Sequence, residues 1–165
     1  MMTIHEINAL PLAAFIAAFG DVAEHSPWIA EGAWRQRPFA DREAMIGAFE
    51  TAMLAAPEAA QLALIRAHPD LATKAKLTVD STQEQAGAGL DRLTRDEFAR
   101  FTELNDAYKG RFGFPFIFAV KGATKTQILE AFAARIENSP AVEFDTALRQ
   151  IARIFRFRLE DRIAP

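Results

Sequence analysis

Residues 65–90 read IRAHPDLATKAKLTVDSTQEQAGAGL, and they hold both a helix stop and a helix start. Pro69 disfavours helical geometry at the residue before it, so a helix arriving from the N-terminal side ends at His68. Ser81, Thr82, Gln83 and Glu84 match an S-x-x-E capping box. There the serine hydroxyl and the glutamate carboxylate satisfy first-turn amides reciprocally, so a short helix opens at that point. Between the two lie polar and charged residues without an apolar period. Gly87 and Gly89 each cost about 1 kcal/mol against Ala in a helix interior. They are read as places where something approaches the backbone closely. A titratable base at a helix end, followed by an acid at a helix start, is the pairing around which the chain is organised.

Working outward, the pattern is helical on both sides. Pro57 suits the first position of a helix carrying Ala60, Leu62, Ala63, Leu64 and Ile65. Asp41 caps a helix whose Ala44, Met45, Ala48, Phe49 and Ala52 follow helical spacing. Residues 25–39, HSPWIAEGAWRQRPF, mix Pro27, Gly32 and Pro38 with Trp28 and Trp34 and are expected to cross the surface, anchored by the two rings. Leu12–Phe19 is a compact apolar helix with Gly20 as its C′ residue. Downstream, Thr94 to Glu97 form a second capping box before a helix with Phe98, Phe101, Leu104, Asn105 and Tyr108 on one stripe. Residues 111–122, RFGFPFIFAVKG, break the pattern: Phe112, Phe114, Phe116 and Phe118 alternate with period two, and Pro115 forbids a helix interior. Their amides from Phe116 to Val120 need partners or can serve a ligand. Thr124 to Gln127 form a third capping box for a helix reaching about Glu137. After Asn138-Ser139-Pro140, a last helix runs from about Ala141 to Ile163. The expectation is an all-α, single-domain multi-helix bundle over residues 1–165, with one extended Phe-rich segment near 112–120.

Composition excludes several classes. A chain of 165 residues buries about 70% of its unfolded surface as one domain. A net charge of −3 gives no basic field for nucleic acid or an anionic membrane. The Arg cluster Arg149, Arg153, Arg156, Arg158 and Arg162 can share a helix face as a local anion site. The chain has no Cys, which excludes disulfides, thiolate zinc sites, iron–sulfur clusters and Cys nucleophiles. The opening MMTIHEINALPLAAFIAAFG has no leading Lys or Arg and is broken by Pro11, so it reads as neither signal peptide nor membrane span. The final Ile-Ala-Pro is not a peroxisomal address. The expected location is cytoplasmic.

The chemical candidates each have a plainer reading. His68 carries an imidazole, the side-chain type suited to general acid–base work near neutral pH; as a helix-terminal His it also suits the helix dipole. Glu84 can orient His68 or take a proton, or it can merely close its capping box. His5 and His25 lie in surface-like contexts. One His with Asp70 and Glu84 at no recognised spacing is a weak metal site. Arg158 can hold a carboxylate in a fork or stand in solvent. No Gly-rich phosphate loop, G-x-S-x-G or dinucleotide fingerprint occurs. The residues alone describe a small helical site with His, Glu and Arg, and they do not name its reaction.

Taken in order, AHPDLA (67–72), STQEQAGAGL (81–90), FGFPFIFAVKG (112–122) and IARIFRFRL (151–159), with SPWIAEGAWRQRPF (26–39) upstream, resemble the OHCU decarboxylase family. Its members convert 2-oxo-4-hydroxy-4-carboxy-5-ureidoimidazoline (OHCU) to (S)-allantoin in urate degradation. The resemblance implies an all-helical homodimer working on a small-molecule substrate, with no metal and no organic cofactor. It implies catalytic roles for His68 and Glu84. It implies substrate binding by Pro69, by Ser81, Thr82, Gln83, Glu84 and Gln85, by Phe116, Ile117, Phe118, Ala119 and Val120, and by Arg158. Arg156 competes with Arg158 for the last role, and helical geometry puts the two on different faces.

Overall fold

A computed structural model of the chain describes residues 1–73 and 77–165. Among the described residues it has nine helices and no strand beyond an isolated bridge between Met2 and Ile163. They are α1 (Ile4–Asn8), α2 (Leu12–Phe19), α3 (Trp28–Trp34), α4 (Arg42–Leu54), α5 (Glu58–Ala67), α6 (Val79–Gly87), α7 (Arg95–Phe112), α8 (Lys125–Arg135) and α9 (Pro140–Glu160). The all-α class and the extended Phe-rich segment are therefore as expected. None of the helices is long and apolar enough to cross a membrane. Two compact units divide the chain: Met1–Ala67 with Ala152–Pro165, and His68–Ile151.

In the first unit, α1 to α5 and the end of α9 bury Ile7, Phe15, Phe19, Ile29, Met45, Phe49, Met53 and Phe155, each at most 1% exposed. Phe15 packs on Phe19 at 5.1 Å between ring centroids, and Phe49 meets Phe155 edge-on at 6.1 Å. The region expected to cross the surface is instead α3, which buries Ile29, Ala30 and Ala33. Its helical apolar spacing was masked by Pro27, which stands at the N-cap where a missing amide costs nothing. Trp34 does anchor, donating Nε1–H to the Leu10 carbonyl. Helix α1 was not anticipated, although Thr3 and Glu6 form a capping box. Gly20 caps α2 in right-handed geometry rather than as a left-handed C′ residue. Pro57 stands one position ahead of its expected place, its carbonyl accepting from Gln61 N–H.

The second unit is built on α6, α7, α8 and the first part of α9, around Phe101, Tyr108, Phe116, Ile128, Phe132 and Ile151. The capping boxes expected for α7 and α8 both form, at Thr94 with Glu97 and Thr124 with Gln127. Helix α7 continues through Arg111 and Phe112 and ends at Gly113, whose φ of 75° closes it left-handed. The extended pass thus starts after Gly113. It buries Phe114, Pro115, Phe116, Ile117, Ala119 and Val120, with Phe116 stacked on Phe132 at 3.8 Å and 7° between planes. Helix α8 ends at Arg135 and α9 starts on Pro140 and stops at Glu160, each slightly shorter at its C-terminal end than expected.

One start differs in a way that bears on the site. Helix α6 is capped by Thr78, whose hydroxyl accepts from Ser81 N–H at 3.3 Å, so it begins at Val79. Ser81 is then inside the first turn, and Glu84 lies well inside the helix rather than closing a cap. The irregular stretch expected between His68 and Ser81 is described at both ends, while Lys74, Ala75 and Lys76 lie outside the described residues. At its other end α6 closes with Gly89 at φ 81°. Gly89 N–H bonds to Ala86 O (3.0 Å) and Leu90 N–H to Gln85 O (2.9 Å), the paired bonds of a left-handed C-terminal motif. A methyl group at Gly87 or Gly89 would meet nothing within 4 Å, so neither glycine is there for close approach within the chain. Gly89→Ala is expected to cost about 1–2 kcal/mol from its backbone conformation. Gly87→Ala, at a right-handed position, is expected to be neutral or stabilising by up to about 1 kcal/mol. Urea denaturation of the two variants reads both signs.

Candidate active site

His68 is the first residue after α5 and is 7% exposed. Pro69 follows it, so the chain leaves the helix without a ladder to take up its polar groups. Side chains from α6 and α7 supply the bonds instead. Gln85 Oε1 accepts from Ala72 N–H at 2.9 Å, and Gln85 Nε2 donates to Asp70 O at 3.3 Å. Asn105 Nδ2 donates to Leu71 O at 2.9 Å. Lys109 Nζ reaches Asp70 Oδ2 at 2.7 Å, fixing its side chain as well. Ala72 sits at φ 56°, a left-handed conformation that is costly for a residue with a Cβ. The turn after His68 is therefore strained, and it is over-determined by its neighbours in the way such strain requires.

Gln85 reaches the turn from a stripe of α6 that also carries Ser81 and Glu84, within a helical spacing of three and four from Ser81. Ser81 and Gln85 are buried and Glu84 is partly exposed, whereas Thr82 and Gln83 face solvent. Thr82 Oγ1 donates back to Thr78 O at 2.8 Å. Of the five candidates on this helix, the structure thus gives Gln85 to the turn. Ser81 and Glu84 share its face, and Thr82 and Gln83 stand on the opposite one.

The candidates at 116–120 form the second piece. Among the described residues their backbone has no strand partner, and it too is held by side chains. Arg135 Nη1 donates to Ile117 O at 2.7 Å. Gln150 Oε1 accepts from Ala119 N–H at 2.9 Å, so that amide is engaged within the chain. Phe118 is the partly exposed member of the run, its ring stacked with Phe116 at 6.1 Å.

Arg158 belongs to the first unit, where it is 4% exposed. It pairs with the 1% exposed Glu24 at 2.9 Å, and its Nη1 donates to Val22 O at 3.1 Å. Arg156 points elsewhere, its two terminal nitrogens meeting the two Glu43 oxygens at 2.9 Å each. That hydrogen-bonded fork holds the Glu43 carboxyl below the usual carboxylate range. Arg158 is thus the buried member of the pair. His5 and His25 are exposed. Among the described residues no three His, Asp or Glu side chains gather into a metal-holding group. A cleft of about 490 Å³ beside Ala72 and Thr73, against Leu90, Leu93 and Phe98, contains none of the sequence candidates.

Asn105, Lys109, Arg135, Glu143 and Gln150 were not singled out as site residues. Asn105 left the one usable signal, a polar residue on the buried stripe of α7. The others act over long sequence separations that no local pattern encodes.

The described residues thus form a small helical fold that holds a buried His on a side-chain-clamped turn, next to an acid-bearing helix face. The OHCU decarboxylase family model matches residues 8–160, and the chain belongs to that family. It is 40% identical over 164 residues to the 2-oxo-4-hydroxy-4-carboxy-5-ureidoimidazoline decarboxylase of Halalkalicoccus jeotgali, covering 99% of this chain and 93% of the relative. It is 42% identical over 163 residues to the uric acid degradation bifunctional protein PucL of Bacillus subtilis, where it spans 33% of the longer protein. Among solved structures, one of (S)-allantoin synthase superposes with a TM-score of 0.82 at 30% identity, covering 99% of this chain and 54% of that one.

Gln85 offers a direct test of the clamped turn. Gln85→Leu leaves Ala72 N–H and Asp70 O unmet and is expected to cost about 1–3 kcal/mol. Gln85→Glu keeps the acceptor for Ala72 and is expected to lose less. A group serving substrate alone would raise KM in both variants and leave the denaturation midpoint where it was.

Proposed function

We propose that the chain decarboxylates OHCU to (S)-allantoin in urate degradation, with His68 and Glu84 as its catalytic residues. The observation that carries the reading is family membership over residues 8–160, together with the turn after His68 tied to Gln85 on the face of α6 that bears Glu84. The chemistry suits these groups. The bond between the ring carbon and its carboxylate breaks, CO₂ leaves, and the electron pair stays on the ring carbon. The substrate's own adjacent C=O and C=N accept that pair, so no pyridoxal or thiamine sink is needed. This leaves the hydroxyl on a carbon–carbon double bond; a proton then adds to the neighbouring ureido-bearing carbon from one face, and the hydroxyl loses its proton to become the product's carbonyl.

In this reading His68 hydrogen-bonds the substrate hydroxyl or carboxylate, and Glu84 holds the ureido or ring N–H groups. Glu84 is suited to this because its helix starts at Val79, which relieves it of the capping duty. Pro69, Ser81 and the backbone of Phe116, Ile117, Phe118 and Val120 line the substrate. Ala119 contributes its position rather than its amide, which Gln150 holds. Thr82 and Gln83 support the helix from its exposed side. Arg158 is proposed to meet the carboxylate, which would share a guanidinium already engaged by Glu24 and Val22. By the same resemblance the protein is a cytoplasmic homodimer. Sedimentation at twice the monomer mass supports that assembly, and a monomer at micromolar concentration contradicts it.

The test uses OHCU generated freshly from urate, with its near-UV absorbance followed in time. Wild type is expected to speed the decay far above the spontaneous rate, with or without EDTA. His68→Ala and Glu84→Ala are each expected to lower kcat by about 10²–10⁴-fold, the usual worth of a positioned acid or base. Decay at the spontaneous rate with wild type would remove the decarboxylase reading.

A further inference from the structure

The second unit contains a buried ionic cluster that the proposed chemistry does not use. Glu143, in the first turn of α9, is 0% exposed, and Arg135, at the end of α8, is 12% exposed. Arg135 Nε donates to Glu143 Oε1 at 2.9 Å. Tyr108 OH, from α7, donates to the same oxygen at 2.6 Å, and Asn138 Nδ2 donates to Oε2 at 3.0 Å. Burial, and then the Glu143 carboxylate, push the Tyr108 phenol far above its ordinary range, so it stays a donor. Three helices therefore converge on one carboxylate. Such a cluster is a poor source of stability, because desolvating the ions offsets most of their attraction.

What the cluster does control is Arg135. With Nε held by Glu143, the guanidinium lies 4.3 Å over the Phe116 ring and extends Nη1 to Ile117 O. A peptide unit is planar and trans, so Ile117 C=O and Phe118 N–H point in opposite directions. Fixing the carbonyl on Arg135 aims the Phe118 amide away from it. Gln150 fixes the next peptide plane in the same way, through Ala119 N–H.

We propose that Arg135, locked by Glu143, is a positioning residue for the decarboxylation: through Ile117 O it aims Phe118 N–H at the oxygen that gains charge as CO₂ leaves. A backbone donor fixed in advance stabilises that charge without reorganising, and loss of one such donor costs about 10²–10³ in kcat. The inference rests on the decarboxylase reading and adds to it a named donor and the group that sets it.

The experiment compares Arg135→Lys, which keeps the charge but cannot span both Glu143 and Ile117, with Ile128→Ala, a buried core variant seven residues earlier on the same helix. The double variant Arg135→Met with Glu143→Gln leaves no lone buried charge and covers the case in which Arg135→Lys fails to fold. Two readouts are taken on folded protein: kcat and KM for OHCU, and amide hydrogen exchange at residues 117–120. The expected result for both Arg135 variants is a kcat lower by 10-fold or more, a KM within about twofold, and faster exchange at Phe118. Ile128→Ala is expected to keep kcat within about twofold. Equal losses in the Arg135 variants and Ile128→Ala, or unchanged exchange at Phe118 in an active enzyme, would overturn the positioning role. Exchange needs no substrate, so it separates this idea from the activity. Wild type inert toward OHCU would take the catalytic role of Arg135 away together with the decarboxylase reading, even where exchange at Phe118 responds.

Discussion

Pro69 is the constraint from which the rest of the site follows. It stops α5 at His68 and sends the backbone into a turn that no helix or sheet satisfies. Each buried amide or carbonyl left unmet there would cost about 1–3 kcal/mol, comparable to a good part of a domain's net stability. Gln85 and Asn105 remove that cost by accepting from Ala72 N–H and donating to Asp70 and Leu71 O. In doing so they hold Ala72 in a left-handed conformation that nothing local favours. The turn beside His68 is consequently held by polar bonds two to four residues away from it, rather than by the helix that it ends.

The extended segment repeats the same solution with different groups. Pro115 prevents a helix, no neighbouring strand is present among the described residues, and the backbone bonds fall to Arg135 and Gln150. Stacking of Phe116 on Phe132 supplies the apolar half of the hold. Both irregular segments therefore borrow rigidity from helices. This is an arrangement in which a loop can present chemistry with the precision of a regular element. It also accounts for the burial of Gln85 and Asn105 on otherwise apolar inner helix faces.

Local rules made most of the fold legible. The capping boxes at Thr94 and Thr124, the cap at Asp41, the stop at Pro69 and the break at Pro115 all act within a few residues, and all appear where the sequence puts them. The errors came where two local signals competed. S-T-Q-E at 81–84 is a good capping box, but Thr78 three residues earlier also has a side-chain oxygen, and the helix extends back to it. Pro27 and Gly32 suggested a loop, yet a Pro at the N-cap is compatible with a helix, and burial of Ile29, Ala30 and Ala33 outweighs one Gly. Gly89 was legible as special, and its backbone φ of 81° gives the reason within the chain. In the site, His68, Glu84 and Gln85 could be picked out because they sit beside a stop and a start. Arg135, Glu143 and Gln150 could not, because their meaning depends on contacts between residues far apart in the chain.

The central claim is that one face of a bound OHCU is protonated after CO₂ is lost. It is tested most directly by the stereochemistry of the product formed in D₂O, read by circular dichroism and by mass. The account predicts a single enantiomer, (S)-allantoin, carrying one solvent-derived deuterium at the ureido-bearing ring carbon from the first turnovers onward. Racemic allantoin appearing at the spontaneous rate would contradict it.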